Sequence, residues 1–211
     1  MQAIKKSFQK WLIYIKEFDK KRLLFNGIIT FSILLALILV DQLTKNLIFE
    51  HKEFVERPNW VEGKNLFDYK VIGFRPILHV GVTSKLHEKL GFITIHILSV
   101  VVFLVALHFM IFAKKYYYIV VLGFLAAGDF GNMLDRFIYA NGVKDILFIP
   151  WRDNGTFNFA DLFIGAGAIG VAITIIIEAL IMPYFKKSKK QDSQPQSAEN
   201  TENTENSQKQ D

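Results

Sequence analysis

Residues 90–113 read LGFITIHILSVVVFLVALHFMIFA, an apolar run that only His96 and His108 interrupt with strongly polar rings. A run of this length is close to the roughly 20 residues that an α-helix needs to cross a hydrocarbon core of about 30 Å. Three more runs have the same character, at about residues 23–40, 116–134 and 159–185. The sequence therefore predicts an all-α integral membrane protein with four transmembrane helices.

The composition agrees with a membrane protein and excludes several kinds of site. Of the 211 residues 51% are hydrophobic, and the chain contains no cysteine. Without cysteine there is no disulfide framework, no thiolate metal site and no cysteine nucleophile. The formal net charge is +5, and lysines cluster beside the apolar runs. This distribution is typical of contact with membrane lipids rather than with nucleic acid.

The basic residues also predict the orientation in the membrane. With four spans, the basic N-terminal segment 1–22, the turn at Lys114-Lys115 and the lysine-rich segment 186–190 lie on one side. The positive-inside rule makes that side cytoplasmic. The segments at about 46–89 and 136–158 are then extracytoplasmic.

The segments outside the spans differ in character. The one at about 46–89 is too long for a tight turn and contains two possible strands, 67–74 and 77–82, separated by Gly73 and Arg75-Pro76. We expect it to form a small β-containing cap between the first two helices of a membrane domain at 23–185. Residues 186–211 are polar and poor in apolar side chains, which predicts a disordered cytoplasmic tail.

Four aspartates lie at the predicted outer face, namely Asp41, Asp135, Asp145 and Asp161. This placement follows from the predicted topology alone. Ionisable groups at membrane depth are costly, so they are functional more often than not. Two neighbouring carboxylates do not readily both ionise and instead share a proton, which aspartyl acid/base chemistry requires.

Two of these aspartates follow an asparagine by three residues: Asn132 precedes Asp135, and Asn158 precedes Asp161. Residues three apart on a helix share a face, so we expect each amide to hydrogen-bond the carboxylate that follows it. Small residues nearby permit close approach between membrane helices. These are Gly128, Gly131, Ala160 and Gly165.

Local context favours Asp145 and Asp161 as the pair that shares a proton. Arg136 follows Asp135 directly and tends to keep that carboxylate ionised and structural. Asp145 precedes the apolar run 146–151, which we expect to dip along the membrane surface. Such a run would give Asp145 an apolar setting.

At these residues the chain resembles the lipoprotein signal peptidases (signal peptidase II), a family of bacterial intramembrane aspartyl proteases. Residues 131–136 (GNMLDR) match the family block G-N-x-x-D-R, and residues 157–161 (FNFAD) match F-N-x-A-D. Residues 143–145 (VKD) are similar to V-x-D, and residues 41–45 (DQLTK) to D-Q-x-S/T-K. The blocks occur in order, and the resemblance covers about residues 23–185.

The resemblance implies a specific chemistry. It implies a catalytic pair at Asp145 and Asp161, with water as the nucleophile and with no metal or organic cofactor. The implied substrate is a prolipoprotein whose cysteine carries a diacylglyceryl group and which is cut immediately before that cysteine. The implied setting is the bacterial cytoplasmic membrane, with the active site near the extracytoplasmic face, both termini cytoplasmic and the protein a monomer.

The resemblance further implies residues that support the pair or contact substrate: Asp41, Lys45, Gly81, Asn132, Asp135, Arg136, Asn158 and Ala160. One family block is largely missing. Where the family has N-x-G-x-A/G-F before the second span, residues 79–84 read HVGVTS, so that only Gly81 persists. We therefore expect the substrate contacts on that side to differ from those of the family.

Two other functions are compatible with carboxylates in a membrane. A proton-coupled carrier or channel subunit uses them as proton relays, but it predicts acids at several depths and usually repeated halves. Here the acids gather at one face, and the sequence has no internal repeat. A non-catalytic scaffold predicts that asparagine is tolerated at Asp145 and Asp161.

Overall fold

The computed structural model describes residues 2–48, 67–80 and 91–183. The chain divides into two compact units, Met1–Val171 and Ala172–Asp211. The sheet and the site described below belong to the first unit, and the described residues of the second, 172–183, are helical. Most of the predicted cap, the predicted tail 186–211 and the candidate site residue Gly81 lie outside the described residues.

Helices make up most of the described chain. They are α1 (Gln2–Lys16), α2 (Lys20–Ile48), α3 (Phe92–Ile111), α4 (Tyr116–Ile138) and α5 (Phe159–Ile176), which continues into a π-helical turn at Ile177–Ile181. Four of them, α2 to α5, are long and apolar enough to cross a membrane. The prediction of four spans is confirmed, whereas the composition of residues 1–22 did not predict α1.

The first span is longer than the apolar run that predicts it. The sequence places its end near Val40, but α2 continues to Ile48, so that Asp41 and Lys45 lie inside the helix. Their charged groups are 2.8 Å apart and both side chains are fully buried. Because they are one helical turn apart, each supplies the counter-charge that lets the other stay in the span.

Local sequence sets the ends of two spans. Asp19 caps α2, since the backbone N–H of Arg22 donates to Asp19 Oδ1 at 2.7 Å. After α4 ends, Ala140 and Asn141 adopt positive φ angles of 48° and 71°. This left-handed turn reverses the chain and leads directly into the strand that begins at Gly142.

The strands form one antiparallel sheet in the order β1-β2-β3-β4. They are β1 (Phe67–Asp68), β2 (Gly73–Val80), β3 (Gly142–Phe148) and β4 (Thr156–Phe157). β3 pairs with β2 along one edge and with β4 along the other, and all of its residues are buried. Asp145 lies in the middle of this central strand, opposite Ile77.

The sheet corrects the fold prediction. β1 and β2 come from the segment between the first two spans, but β3 and β4 come from the segment between the last two. There the sequence predicts that residues 146–151 dip along the membrane surface. Residues 146–148 instead extend β3, because β2 and β4 satisfy its backbone groups on both edges. The all-α description therefore applies to the spans and not to the segments that carry Asp145.

The turn of the β1–β2 hairpin also differs from the prediction. The sequence predicts breaks at Gly73 and Pro76, but the chain turns at Lys70, which has a φ of 67°. Gly73 and Pro76 both lie within β2. A register shift between Phe74 and Ile77 accommodates the proline, which has no N–H to donate.

Close packing holds the first unit together. Buried side chains of α2, α3 and α4 form one apolar core that includes Leu34, Met110 and Ile119. Small residues bring α5 against α4, since a Cβ added to Gly167 would lie 2.5 Å from the backbone nitrogen of Leu125. Small residues are the usual means of close helix approach in membranes, where apolar burial alone gives little drive.

Candidate active site

The Asp145 carboxyl group is held in place by β4 and by the residue that follows that strand. Its side chain is 6% exposed. Asp145 Oδ1 accepts a hydrogen bond from Asn158 Nδ2 at 2.9 Å, and Oδ2 accepts one from the Thr156 hydroxyl at 3.3 Å. Both donors are neutral, so they orient the carboxyl group without supplying a counter-charge.

Asp161 belongs to the first turn of α5, where it forms a reciprocal cap with Asn158. The backbone N–H of Asp161 donates to Asn158 Oδ1 at 2.9 Å, and the backbone N–H of Asn158 donates to Asp161 Oδ2 at 3.1 Å. This is the arrangement of a capping box, built here from asparagine and aspartate. The motif Asn-x-x-Asp thus starts the helix and positions a carboxylate at the same time.

Asn158 connects the two aspartates. Its amide nitrogen donates to Asp145, and its amide oxygen accepts from the backbone of Asp161. The side chain is fully buried. The sequence predicts that this amide binds the carboxylate three residues later on the same helix face. The prediction is wrong, because Asn158 caps the helix rather than lying within it and its amide points to β3.

Asn132 also contacts a different aspartate from the one predicted. Its amide nitrogen donates to Asp161 Oδ1 at 2.8 Å, across the interface between α4 and α5, instead of to Asp135 on its own helix. Its amide oxygen accepts from Lys45 Nζ and from Asn158 Nδ2, each at 3.1 Å. Asn132 therefore joins the helix cap to the charged group on α2.

Lys45 is the centre of a buried charged cluster. Its ammonium group lies 2.8 Å from Asp41 Oδ2, 3.0 Å from Asp135 Oδ2 and 3.1 Å from Asn132 Oδ1. These acceptors match the three N–H donors of a lysine ammonium group. Lys45, Asp41 and Asp135 are all fully buried, so two carboxylates share one cation away from water.

Gln42 completes this cluster, although it is not among the site residues that the sequence predicts. Its amide nitrogen lies 3.1 Å from Asp41 Oδ2 and 3.2 Å from both Asp135 Oδ1 and the carbonyl oxygen of Gly131. The sequence contained a signal for this role, because Gln42 is the second residue of the block DQLTK.

Asp135 has Lys45 as its counter-charge. The sequence predicts that Arg136 keeps this carboxylate ionised, but the ion pair of Asp135 is made by Lys45 on another helix. Arg136 is only partly buried, and among the described residues its Nε is a buried donor without a hydrogen-bond partner. Adjacent residues on a helix point about 100° apart, so Arg136 does not meet the carboxylate beside it.

Asp41 also anchors the start of α5. Its Oδ1 accepts the backbone N–H of Ala160 at 2.9 Å. A Cβ added to Gly131 would lie 2.6 Å from Asp41 Oδ2 and 3.3 Å from the Cβ of Ala160. A Cβ added to Gly128 would collide with the carbonyl oxygen of Ala160. The small residues thus allow α2, α4 and α5 to meet at one point.

The two aspartates joined by Asn158 have unequal surroundings. Burial, followed by the negative charge of Asp161, raises the pKa of Asp145 to about 7, against the opposing effect of Lys45. Asp161 is exposed, lies at the N-terminus of α5, and accepts hydrogen bonds from the Asn132 amide and from the backbone N–H of Asn158. A buried carboxyl group with a raised pKa beside an exposed carboxyl group is suited to acid and base roles in one reaction.

Lys144 is a further buried charge beside Asp145, and it is not among the site residues that the sequence predicts. Its backbone N–H donates to Asp135 Oδ2 at 3.0 Å, and its carbonyl oxygen accepts from Asn158 Nδ2 at 3.2 Å. The ammonium group donates to Asn46 Oδ1 at 2.9 Å and to the Tyr139 hydroxyl at 2.8 Å. Burial lowers the pKa of Lys144 to about 8. The lysine and Asp145 are the charged residues of a strand whose other residues are apolar or glycine, and this was the signal that the sequence offered.

Candidate metal ligands do not gather around this network. Among residues 2–48, 67–80 and 91–183, no group of three or more His, Asp or Glu side chains is placed to hold a metal ion. His79 is exposed on β2 and pairs in register with Val143.

Comparison with known proteins agrees with the motifs that build this site. Residues 33–177 match the family model described as Signal peptidase (SPase) II. The chain belongs to the signal peptidase II family. The match begins within α2 and extends into the π-helical turn after α5, so it includes all the described residues of the hydrogen-bonded network.

Lipoprotein signal peptidases from two bacteria are similar to this chain in sequence. The lipoprotein signal peptidase of Mycoplasma genitalium is 36% identical over 108 residues, which are 51% of this chain and 58% of that protein. The lipoprotein signal peptidase of Mycoplasma pneumoniae is 33% identical over 86 residues, or 41% of this chain and 44% of that protein. The aligned region thus spans about half the length of these relatives.

Solved structures show that the fold is shared with membrane enzymes. A bacterial membrane enzyme solved in meso at 1.9 Å resolution has a TM-score of 0.55 and 22% identity, covering 70% of this chain and 92% of the other. A second, solved at 2.3 Å, has a TM-score of 0.54 and 18% identity, covering 72% and 89%. With its four apolar helices, this signal peptidase II family member is a multi-pass membrane protein.

Proposed function

We propose that this chain is an aspartic endopeptidase that removes the signal peptide from prolipoproteins bearing a diacylglyceryl group, by cutting immediately before the lipid-modified cysteine. Membership of the signal peptidase II family supports the substrate class. The observation that supports the aspartic mechanism is the pair Asp145 and Asp161, two unequal carboxyl groups that one side chain, Asn158, connects.

Asp161 is the proposed general base. Its carboxylate is exposed and oriented by Asn132 and by the backbone of Asn158. It takes a proton from a water molecule as the water oxygen bonds to the scissile carbonyl carbon. A base of this kind must reach both water and substrate, which suits an exposed carboxylate better than a buried one.

Asp145 is the proposed general acid. A pKa of about 7 lets it carry a proton at neutral pH. It gives that proton to the carbonyl oxygen, so that a neutral gem-diol forms. Asp161 then passes its proton to the leaving nitrogen as the carbon–nitrogen bond breaks, and one gem-diol hydroxyl returns a proton to Asp145 as the carbonyl reforms.

The remaining residues of the network are proposed to hold this pair in register. Asn132 and Asn158 orient the carboxyl groups, while Lys45, Asp41 and Asp135 fix α2 against α4 and α5. Ala160 contributes its backbone N–H to the same junction. Arg136, with its unsatisfied donor, and Gly81 are proposed to face substrate.

The membrane orientation is part of the proposal. The aspartate cluster lies near the extracytoplasmic surface, and the ends of the spans beside the turn Lys114-Lys115 face the cytoplasm. The lysines and arginines beside the latter ends support this orientation through the positive-inside rule. A diacylglyceryl group anchored in the outer leaflet then places the scissile bond at the level of the pair, and a monomer contains every proposed catalytic residue.

The test uses the full chain in lipid nanodiscs with a purified precursor that carries the diacylglyceryl group. We expect Asp145→Asn and Asp161→Asn each to lower kcat by about 10²–10⁴-fold, the range of general acid/base catalysis. Asp153→Asn is the control, because Asp153 lies in the same outer segment but pairs with Arg75 at the surface. Mass spectrometry of the released fragment identifies the bond. If Asp145→Asn or Asp161→Asn still cleaves the precursor fully, as Asp153→Asn does, the assignment of Asp145 and Asp161 as the catalytic pair is contradicted.

A further inference from the structure

Helix α1 has an apolar face whose N-terminal half the spans do not cover. Ile4, Phe8, Trp11, Leu12 and Ile15 recur at intervals of three and four residues, which places them on one side of the helix. The exposed fractions of Ile4 and Phe8 are 76% and 55%, although both lie in the middle of this face. An apolar stripe of this kind in water would be unfavourable, so it calls for an apolar partner.

The other faces of α1 are strongly basic. Lys5, Lys6, Lys10 and Lys16 are all exposed and lie away from the centre of the apolar stripe. Residues 1–22 contain seven Lys or Arg residues against two acidic ones. The partner of this helix must therefore offer apolar matter on one side and negative charge beside it.

Contacts at the C-terminal end of α1 fix its level along the spans. The Tyr14 hydroxyl donates to the carbonyl oxygen of Phe112 at 2.6 Å, and Trp11 Nε1 donates to His108 at 3.2 Å. Lys114 Nζ lies 4.8 Å from the centre of the Tyr14 ring. α1 thus packs where α3 ends and the turn to α4 begins.

This end of the spans is opposite to the aspartate cluster. Asp41 is about 30 Å along α2 from its first residue, at about 1.5 Å per residue, which is close to the thickness of a hydrocarbon core. Where α1 packs, the spans therefore reach the other surface of the bilayer. An amphipathic basic helix at that level matches the character of helices that lie in the membrane interface.

We propose that α1 is an in-plane anchor that binds a bilayer surface rich in anionic phospholipid headgroups. Its apolar stripe lies among the outer segments of the acyl chains, and its lysines contact the phosphate groups around it. The positive charge of α1 favours an anionic bilayer over a second copy of the chain as the partner. A second copy of α1 would bring lysines against lysines, whereas anionic headgroups meet them with the opposite sign.

The absence of cysteine makes the test direct, because each introduced cysteine carries the only spin label. The labels are placed at Ile4→Cys and Phe8→Cys on the apolar stripe, and at Gln9→Cys on the polar side of the helix as the matched control. The full chain is reconstituted in phosphatidylcholine vesicles with or without phosphatidylglycerol. Collision rates with oxygen and with a water-soluble nickel complex then report the depth of each label.

In vesicles with phosphatidylglycerol we expect the Ile4 and Phe8 labels to lie roughly 5–10 Å below the headgroup boundary and the Gln9 label to remain in water. Replacing Lys5, Lys6, Lys10 and Lys16 by glutamine should move the two apolar labels outward by several ångströms. Equal nickel access at all three positions would overturn the proposal. Spin–spin broadening of the Ile4 or Phe8 label would show that a second copy of the chain covers this face instead. Label depths that are the same with and without phosphatidylglycerol would refute the anionic partner.

Discussion

Asn158 and Asp161 hold each other by two reciprocal hydrogen bonds of 2.9 and 3.1 Å at the start of α5. Because these bonds use the backbone N–H and the amide oxygen of Asn158, its amide nitrogen remains available for Asp145. A helix cap therefore also sets the geometry of the proposed catalytic pair. One residue links the stability of the helix start to the chemistry of the site.

Replacing Asn158 should separate these two roles. Asn158→Ala removes both the cap and the donor to Asp145, so we expect a loss of about 1 kcal/mol in the free energy of unfolding together with a large fall in kcat. Asn158→Ser restores a cap of similar strength but supplies no amide to Asp145. The serine variant still lacks the donor to Asn132 and Lys144, so we expect it to recover only part of the stability that the alanine variant loses. We also expect it to cleave precursor about 10²-fold more slowly than the unmodified chain.

The two measurements are equilibrium unfolding in mixed micelles and precursor cleavage at saturating substrate. If Asn158→Ser recovers both stability and kcat, the amide donated to Asp145 has no part in the reaction. Asp153→Asn, on the surface of the same segment, should change neither quantity appreciably.

The rate of precursor cleavage should fall as the pH rises above about 7. Asp145 must carry a proton to act as the general acid, and burial with the Asp161 charge raises its pKa to about 7. We expect kcat/KM to fall about tenfold per pH unit above that value. Lys144, whose pKa burial lowers to about 8, is another neighbouring group that titrates in this range. Lys144→Met should therefore keep the alkaline limb, and loss of the limb in that variant would assign it to Lys144.

Stability should respond to pH in the same direction. The pKa of Asp145 is raised above its ordinary value of 3.8, so the folded chain holds a proton that the unfolded chain has lost. The contribution of Asp145 to the free energy of unfolding is therefore greatest below about pH 4, and it declines as the pH rises to about 7. We expect unfolding midpoints that decrease over this window, and a smaller decrease for Asp145→Asn. An equal pH dependence in both chains would contradict a proton on Asp145.

The sequence predicts the membrane fold well because its signal is strong and local. Apolar runs long enough to span a bilayer are typical of transmembrane helices, and they locate α2 to α5. The predicted topology alone also places the four aspartates at one end of the spans. The structure indeed joins Asp41, Asp135, Asp145 and Asp161 through Lys45, Asn132 and Asn158.

The contacts inside that cluster were beyond prediction because they depend on which elements cross. Spacing of three residues predicts that Asn132 binds Asp135, but rotation of α4 turns its amide to Asp161 on another helix. Asp145 lies in a strand rather than on a surface-lying segment, since β2 from a distant part of the chain supplies its partner. Helix α1 was missed because its apolar stripe is too short to resemble a span.

Removing Lys45 should destabilise the protein strongly. Lys45→Met leaves Asp41 and Asp135 buried without the cation that both contact. Breaking a buried ion pair by deleting one partner typically costs about 3–5 kcal/mol. Adding Asp135→Asn to Lys45→Met removes one of the orphaned charges and should recover part of this loss. Unfolding measured for the single and double variants gives the coupling, and additive effects would show that Lys45 does not stabilise Asp135.

Two glycines on facing helices offer a matched test of the junction between α2, α4 and α5. A Cβ at Gly131 would lie 2.6 Å from Asp41 Oδ2, an atom that Lys45 holds in place, whereas a Cβ at Gly165 would meet nothing within 4 Å. We expect Gly131→Ala to lower the free energy of unfolding by about 1–3 kcal/mol and to reduce cleavage. Gly165→Ala should be neutral or stabilising by up to about 1 kcal/mol, because alanine favours the helix. Equal stability of the two variants would mean that close contact at Gly131 does not hold the junction together.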